Sequence, residues 1–465
     1  MQLRSFILSL FIFSFFVIAS LLGGGCAQIG IPTGGAKDTL PPVLVKASPA
    51  NGTRNVTSNK ITLDFDEYID VSDLQQNLII SPLQNRNPSI VANPRSITLK
   101  FRDTLLPNTT YNINFGNAIR DINENNVLKN LTYVFSTGNT LDSLTLNGKV
   151  TLAETGEVDT TMIVMLYQNA VDTTVQKKKP NYIAKVNNDG SFNFSNLPVD
   201  NFKIYALKDG DGGKTYNALS ETFAFADEEV STKNNDAITL FAYAEKIATN
   251  NQNSTNTTPI KKGIEKKLRV TNNILGSKDL LEPLELTFNN PLKIIDTNKI
   301  YIADTFYKKL STVQYKTDST AHHLTLSTKW QPETTLILII DKDGAEDSAG
   351  TKLSKTDTIR FTTKRKEDYG KLVLRFNNID ITKNPVIQFT IGNNVKYSYP
   401  ILSKEFSNNM FPPGEYGVRI LYDKDKNGTW TPGNYSKKLQ PELVVALPQK
   451  LSVKADWDNE REINL

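Results

Sequence analysis

The run Asp423-Lys424-Asp425-Lys426-Asn427-Gly428-Thr429-Trp430 has the spacing of a metal-binding loop. Oxygen-bearing side chains stand at positions one, three and five, and glycine at six permits the sharp turn that a calcium loop needs. Alternate carboxylates can converge on one hard cation, with the Thr429 carbonyl as a further candidate ligand. Two features depart from an EF-hand. Position twelve is Asn434 instead of a bidentate glutamate, and residues 417–422 ahead of the loop read as a strand. Glu442 stands further along as a distant carboxylate. The competing reading is a turn between strands, in which Asp and Asn side chains cap backbone N–H groups. A second run, Asp209-Gly210-Asp211-Gly212-Gly213, keeps two carboxylates but has Lys214 at position six, so it is the weaker calcium candidate.

Other reactive groups are sparse. Asp64, Asp66 and Glu67 lie in ITLDFDEYID, where a strand puts Asp64 and Asp66 on one polar face. Paired carboxylates serve glycoside hydrolysis, but no aromatic-lined cleft is legible around these, and a solvated strand face is the stronger reading. His322 and His323 are adjacent, so on a strand they point to opposite faces and do not chelate one ion. The whole chain of 465 residues holds one cysteine and these two histidines. That excludes an intramolecular disulfide framework, a cysteine-rich zinc site and a three-histidine metal site. With 53 basic and 49 acidic side chains, the net charge of +4 leaves no nucleic-acid footprint. No P-loop, GxGxxG or GxSxG is present. The expectation is a protein that is not an enzyme.

The elements that hold these residues read as strands. Short alternating runs such as Ile61-Thr-Leu-Asp-Phe65, Ser96-Ile-Thr-Leu-Lys-Phe101 and Leu284-Glu-Leu-Thr-Phe288 recur between Asn, Gly, Asp and Pro. One face is apolar and the other polar, so each strand is expected to cover a core on one side only. The strands also repeat in order. Phe65 aligns with Phe288, Leu99 with Leu326 and Phe135 with Phe361, while Phe202–Asp209 aligns with Tyr416–Asp423. The expected architecture is therefore all-β, four sandwiches in an A–B–A′–B′ order.

Residues 1–25 read as a signal peptide: one charged residue, Arg4, then the apolar run from Phe6 to Leu22, then Gly23-Gly24-Gly25 before Cys26. The ending resembles the bacterial lipoprotein lipobox, with Gly23 where leucine is usual. That resemblance implies diacylation of Cys26, which becomes the new N-terminus, and Ala27 after it fits delivery to an outer membrane. Residues 26–40 are expected to be a tether.

Further motifs point to families. Pro41-Pro42 and Ser48-Pro49-Ala50-Asn51-Gly52, followed by the ITLDF strand and Phe135-Ser-Thr-Gly138, resemble the SbsA-type bacterial Ig-like domain, here spanning 41–139. Residues 267–364 resemble a divergent second copy that lacks the Pro-Pro and SPANG entry. Asp189-Gly190-Ser191-Phe192, Leu197-Pro198 and Phe202–Tyr205 resemble transthyretin-like or carboxypeptidase-regulatory-like sandwiches, spanning 142–245 and, with Phe411-Pro-Pro-Gly414-Glu-Tyr416, 367–465. Residues 246–266, rich in Asn, Thr and Lys, are expected to be a flexible linker between two A–B halves. The resemblances imply a non-catalytic cell-envelope protein, anchored in the membrane by its N-terminal lipid, periplasmic or surface-facing. It would present loops to a protein or glycan partner, with a glycan-binding accessory role or an unrecognised hydrolase as alternatives. Calcium would only stiffen a loop.

Overall fold

A computed structural model of the chain describes residues 12–14, 37–234, 237–245 and 267–465. Cys26, the linker 246–266, most of the tether and nearly all of the expected signal peptide lie outside these residues. Contacts divide the chain into two compact units. One is Met1–Ile80 with Gln84–Leu141; the other is Ser81–Leu83 with Asp142–Leu465. The architecture is all-β, with about 4% of residues helical.

In the first unit, alternation in sequence becomes alternation in burial. Along Lys60–Phe65, Ile61, Leu63 and Phe65 are buried while Lys60 is exposed and Asp64 half-buried. This strand sits in a four-stranded sheet ordered Leu44–Ser48, Lys60–Phe65, Ser96–Lys100 and Ser89–Asn93. Tyr111, Ile113, Tyr133 and Phe135 from the facing sheet complete one core. Even the strand Thr110–Asn114, buried nearly throughout, keeps polar Thr110 and Asn112 on its second face.

The second unit holds three sandwiches, and its topology reproduces the repeat. The larger sheet of B runs Tyr182–Lys185, Ile163–Gln168, Asn201–Leu207, Phe223–Phe225. That of B′ runs Asn394–Pro400, Pro385–Ile391, Gly414–Tyr422, Leu443–Ala446, the same order. In the smaller sheets, the first strand of each module pairs in parallel with the last: Leu144–Leu152 with Ile238–Ala242, and Gly370–Asn377 with Asp458–Asn464. A′ likewise orders Val270–Asn272, Leu284–Phe288, His323–Ser327 and Gln314–Thr317 as the first module orders its four-stranded sheet.

Two expectations fail here. The larger sheet of B is apolar on both faces, not one. Val164, Leu166, Phe202 and Ile204 point into B's own core. Met165, Tyr167, Tyr205 and Leu207, on the opposite face, are buried in a separate core shared with Val386, Leu421, Trp430, Tyr435 and Val444 of B′. B and B′ are therefore joined, and the chain does not divide into two A–B halves. The physical reason is area: a sheet with two apolar faces must cover both, and each large side chain so buried contributes about 1.5–3 kcal/mol. A′ belongs to the same unit, where the Leu280 N–H donates to the Tyr369 hydroxyl at 2.7 Å and Lys396 pairs with Glu282 at 3.1 Å.

Candidate functional site

Strand Gly414–Tyr422 delivers the chain into the acidic run, and strand Leu443–Ala446 takes it back beside the same strand. Antiparallel pairing of these two strands brings the ends of the intervening 423–442 arm together. Asp423 stands at one end and Glu442 at the other, both buried, and a carboxylate oxygen from each lies within 4.8 Å of one from exposed Asp425. Glu442, distant in sequence, is thus in the cluster. Asp423 accepts from the N–H of Asn427 at 3.2 Å and of Gly428 at 2.7 Å. Glu442 accepts from Lys424 N at 2.6 Å and Thr431 N at 2.9 Å. Hydrogen bonds, the Thr431 hydroxyl first, hold the Asp425 carboxyl below the usual range. Asn427 turns its Oδ1 to Thr429 N at 2.6 Å and its Nδ2 to Asp425, so the Asn427 and Thr429 positions are occupied in shaping the turn. Among the described residues no ion pair reaches the three carboxylates.

The B loop has the same plan. Asp209, Asp211 and Glu221 bring carboxylate oxygens within 4.8 Å of one another. Asp211 accepts from Gly213 N and from Asn217 Nδ2, each at 2.7 Å; the Asn217 bond is the foremost cause of its lowered carboxyl pKa. Oδ1 of Asp209 is buried and accepts no hydrogen bond. Lys214, at position six, holds φ 56°, close to the φ 75° of Gly428 at the equivalent place. Glu221 went unread in the sequence. Aligning the two loops would have found it, since each acid closes its loop just ahead of the returning strand.

Beyond the carboxylates, the 423–442 arm reaches into B. Trp430 is buried and donates from Nε1 to the Glu442 carbonyl at 2.9 Å. The Tyr435 ring lies 5.1 Å from Phe223 and 5.2 Å from Phe225, edge-on to both. Its hydroxyl donates to the Asp172 carbonyl at 2.7 Å, and burial pushes its pKa far up. Glu245 of B accepts from Tyr435 N and from Asn434 Nδ2, each at 2.9 Å. Asn434, the expected twelfth position of a calcium loop, thus serves the joint. Gln440 donates to the Phe225 carbonyl at 3.0 Å, and Lys438 pairs with Asp172 at 3.2 Å. Gly433 passes so close that a Cβ there would stand 2.6 Å from Tyr243 Cζ and 2.7 Å from the Leu439 carbonyl, distances that no larger residue tolerates.

The remaining candidates are structural. Asp66 accepts from Val43 N at 2.8 Å, tying down the opening strand. Burial, then the nearby Asp121 and Asp66 carboxylates, push the half-buried Glu67 carboxyl up. His322 turns Nδ1 to the Phe288 carbonyl at 2.9 Å, while Nδ1 of His323 meets the Thr287 hydroxyl at 3.1 Å. Trp330 and Trp430 are buried anchors, while Trp457 is exposed.

Residues 38–137 match the family model described as the bacterial Ig-like domain. That match types the first module rather than the whole chain. No curated protein matches. Among solved structures, the chain is similar to native alpha-2-macroglobulin from Escherichia coli spanning domains MG0-NIE-MG1, at 14% identity over 39% of this chain and 72% of that one, TM-score 0.20. It is also similar to BcpA, the major pilin subunit of Bacillus cereus, at 9% identity over 70% and 99%, TM-score 0.18. The N-terminal part of the bacterial S-layer protein SbsC follows at 14% identity over 45% of each chain, TM-score 0.17. Likenesses this slight carry no weight for function. The molecule is an all-β protein with a bacterial Ig-like domain at its head and no catalytic family matched along it.

Proposed function

We propose that this chain is a non-catalytic scaffold of the cell envelope, lipid-anchored through Cys26 to the outer membrane and presenting its loops to a protein partner. The observation that carries the reading is the joint between B and B′. Buried aromatics and the polar groups around Tyr435 are consumed there in fixing two sandwiches to each other, as a spacer requires. B and B′ themselves read as transthyretin-like sandwiches. A glycan partner is less well supported. Exposed Tyr68 and Trp457 fall in different modules, each with a cation over one ring face, Arg95 at 4.7 Å and Lys454 at 4.9 Å, and exposed Phe306 and Tyr307 stand on a turn instead of a sandwich face. Mass spectrometry of the mature N-terminus should find an acylated cysteine, and replacing residues 1–26 by a cleavable secretory leader that leaves no cysteine should release the protein from the membrane fraction. A mature wild-type chain that is unacylated and soluble would end the anchor claim. Pull-down from intact cells identifies the partner.

A second reading concerns the two acidic clusters, which suit a hard cation such as calcium. The convergence of Asp423, Asp425 and Glu442 supports it, two of them buried and, among the described residues, with no cationic side chain paired to them. A calcium-induced rise in melting temperature that survives Asp423→Ala with Asp425→Ala would rule out this loop.

A further inference from the structure

Strand Ile300–Ala303 of A′ ends in a tight turn whose tip is Phe306-Tyr307. The turn is rigid. Asp304 N donates to the Lys308 carbonyl and Tyr307 N to the Asp304 carbonyl, each at 3.0 Å. The Asp304 carboxylate accepts from Phe306 N and Lys308 N, each at 2.9 Å. Tyr307 holds φ 62°, a left-handed conformation that asparagine or glycine adopts at far lower cost than a bulky ring. The turn's own hydrogen bonds hold that conformation, while Phe306 is 89% and Tyr307 63% exposed, so neither ring is packed into a core.

We infer that this turn is a membrane-contact tip, which places Phe306 and Tyr307 in the headgroup layer of an anionic lipid bilayer. A convex tip encloses no small ligand, so whatever it meets must supply the depth. Along the sequence its groups run from a bare phenyl to a phenol with an apolar body and a polar end, then to two ammonium groups. Aromatic rings of this kind settle at lipid–water boundaries, and lysines beside them are drawn to anionic headgroups. Lys308 is exposed, and Lys309 is held at the base by the Thr297 carbonyl at 2.9 Å and Asn298 Oδ1 at 3.0 Å. The turn's carboxylate, Asp304, accepts from backbone N–H groups and keeps its charge, so with Lys308 and Lys309 the turn carries a net +1. The inference rests on the envelope reading only for access to a bilayer.

The test uses the chain from residue 26 onward carrying Cys26→Ser, so that neither an acyl group nor the apolar run Phe6–Leu22 contributes, floated with vesicles of phosphatidylglycerol and phosphatidylcholine or of phosphatidylcholine alone. Binding should favour the anionic vesicles, weaken with salt, and fall about tenfold or more in Phe306→Ser with Tyr307→Asn. Because asparagine accepts the left-handed φ, the variant should melt at the parent's temperature or above it, which separates lost binding from lost folding. Equal binding by parent and variant, or none by the parent, overturns the inference. So does a photoreactive phenylalanine at position 306 that crosslinks in cells to protein instead of lipid. Acylation of Cys26 is read separately by mass, so either idea can fail alone.

Discussion

Strands in the first module and in B solve the same problem differently. Thr110–Asn114 keeps Thr110 and Asn112 on its second face, whereas Ile163–Gln168 presents Met165 and Tyr167 there, against B′. A half-polar strand belongs to a module that finishes its own core. A doubly apolar strand commits its module to a neighbour. The two acidic loops repeat the contrast on a smaller scale: the 423–442 arm carries Tyr435 across into B, while the 209–221 loop stays at home and contributes Tyr216 to the same cluster.

The largest effect should come from cutting the commitment. Tyr435→Ala should destabilise the second unit by about 3–5 kcal/mol and leave the melting of the first unit unchanged. Calorimetry resolves the two, and coincident loss of both transitions would erase the contrast between them. Next comes the cation. At calcium a hundredfold above its dissociation constant, stabilisation of about 2.7 kcal/mol is expected; it should vanish in Asp423→Ala and shrink only in part in Asp209→Ala, if the arm is the tighter site. Then the loops can be made more alike. Lys214→Gly should stabilise B by about 1 kcal/mol in denaturant titration, by relieving the left-handed φ at position six. The smallest effect is acid sensitivity of the joint. Hydrogen bonding to Lys203, then to Lys438, holds the Asp172 carboxyl below its ordinary value. Its contribution is thus present above the unfolded pKa of about 3.9 and fades as pH falls through the lower folded value. Asp172→Asn should flatten that acid limb in melting curves.

Much of the fold was legible because alternation at period two is a local signal. Ile61, Leu63 and Phe65 announced their own burial, and the recurrence of such runs announced the shared strand order. The doubly apolar run Ile163–Tyr167 was also there to be read, but a general expectation of one-sided strands hid it. Of the candidate site, Asp423, Asp425 and the distant Glu442 were visible as carboxylates at turn spacing. Glu221 was missed because no motif places it; only the comparison of repeats does. The arm's side of the joint left no local trace. Asn434 meets Glu245 across 189 residues, and nothing near Tyr435 marks it as more than a loop tyrosine.

Glu245, held by the arm, lies three residues beyond B's last strand, Ile238–Ala242. With B and B′ fastened directly, A′ hangs as a side branch on a closed circuit. Tension applied between residues 142 and 465 runs through the joint and bypasses A′ until the joint breaks. In a force-ramp experiment the joint therefore acts as a mechanical fuse, and its rupture brings A′ into the load path in a single step.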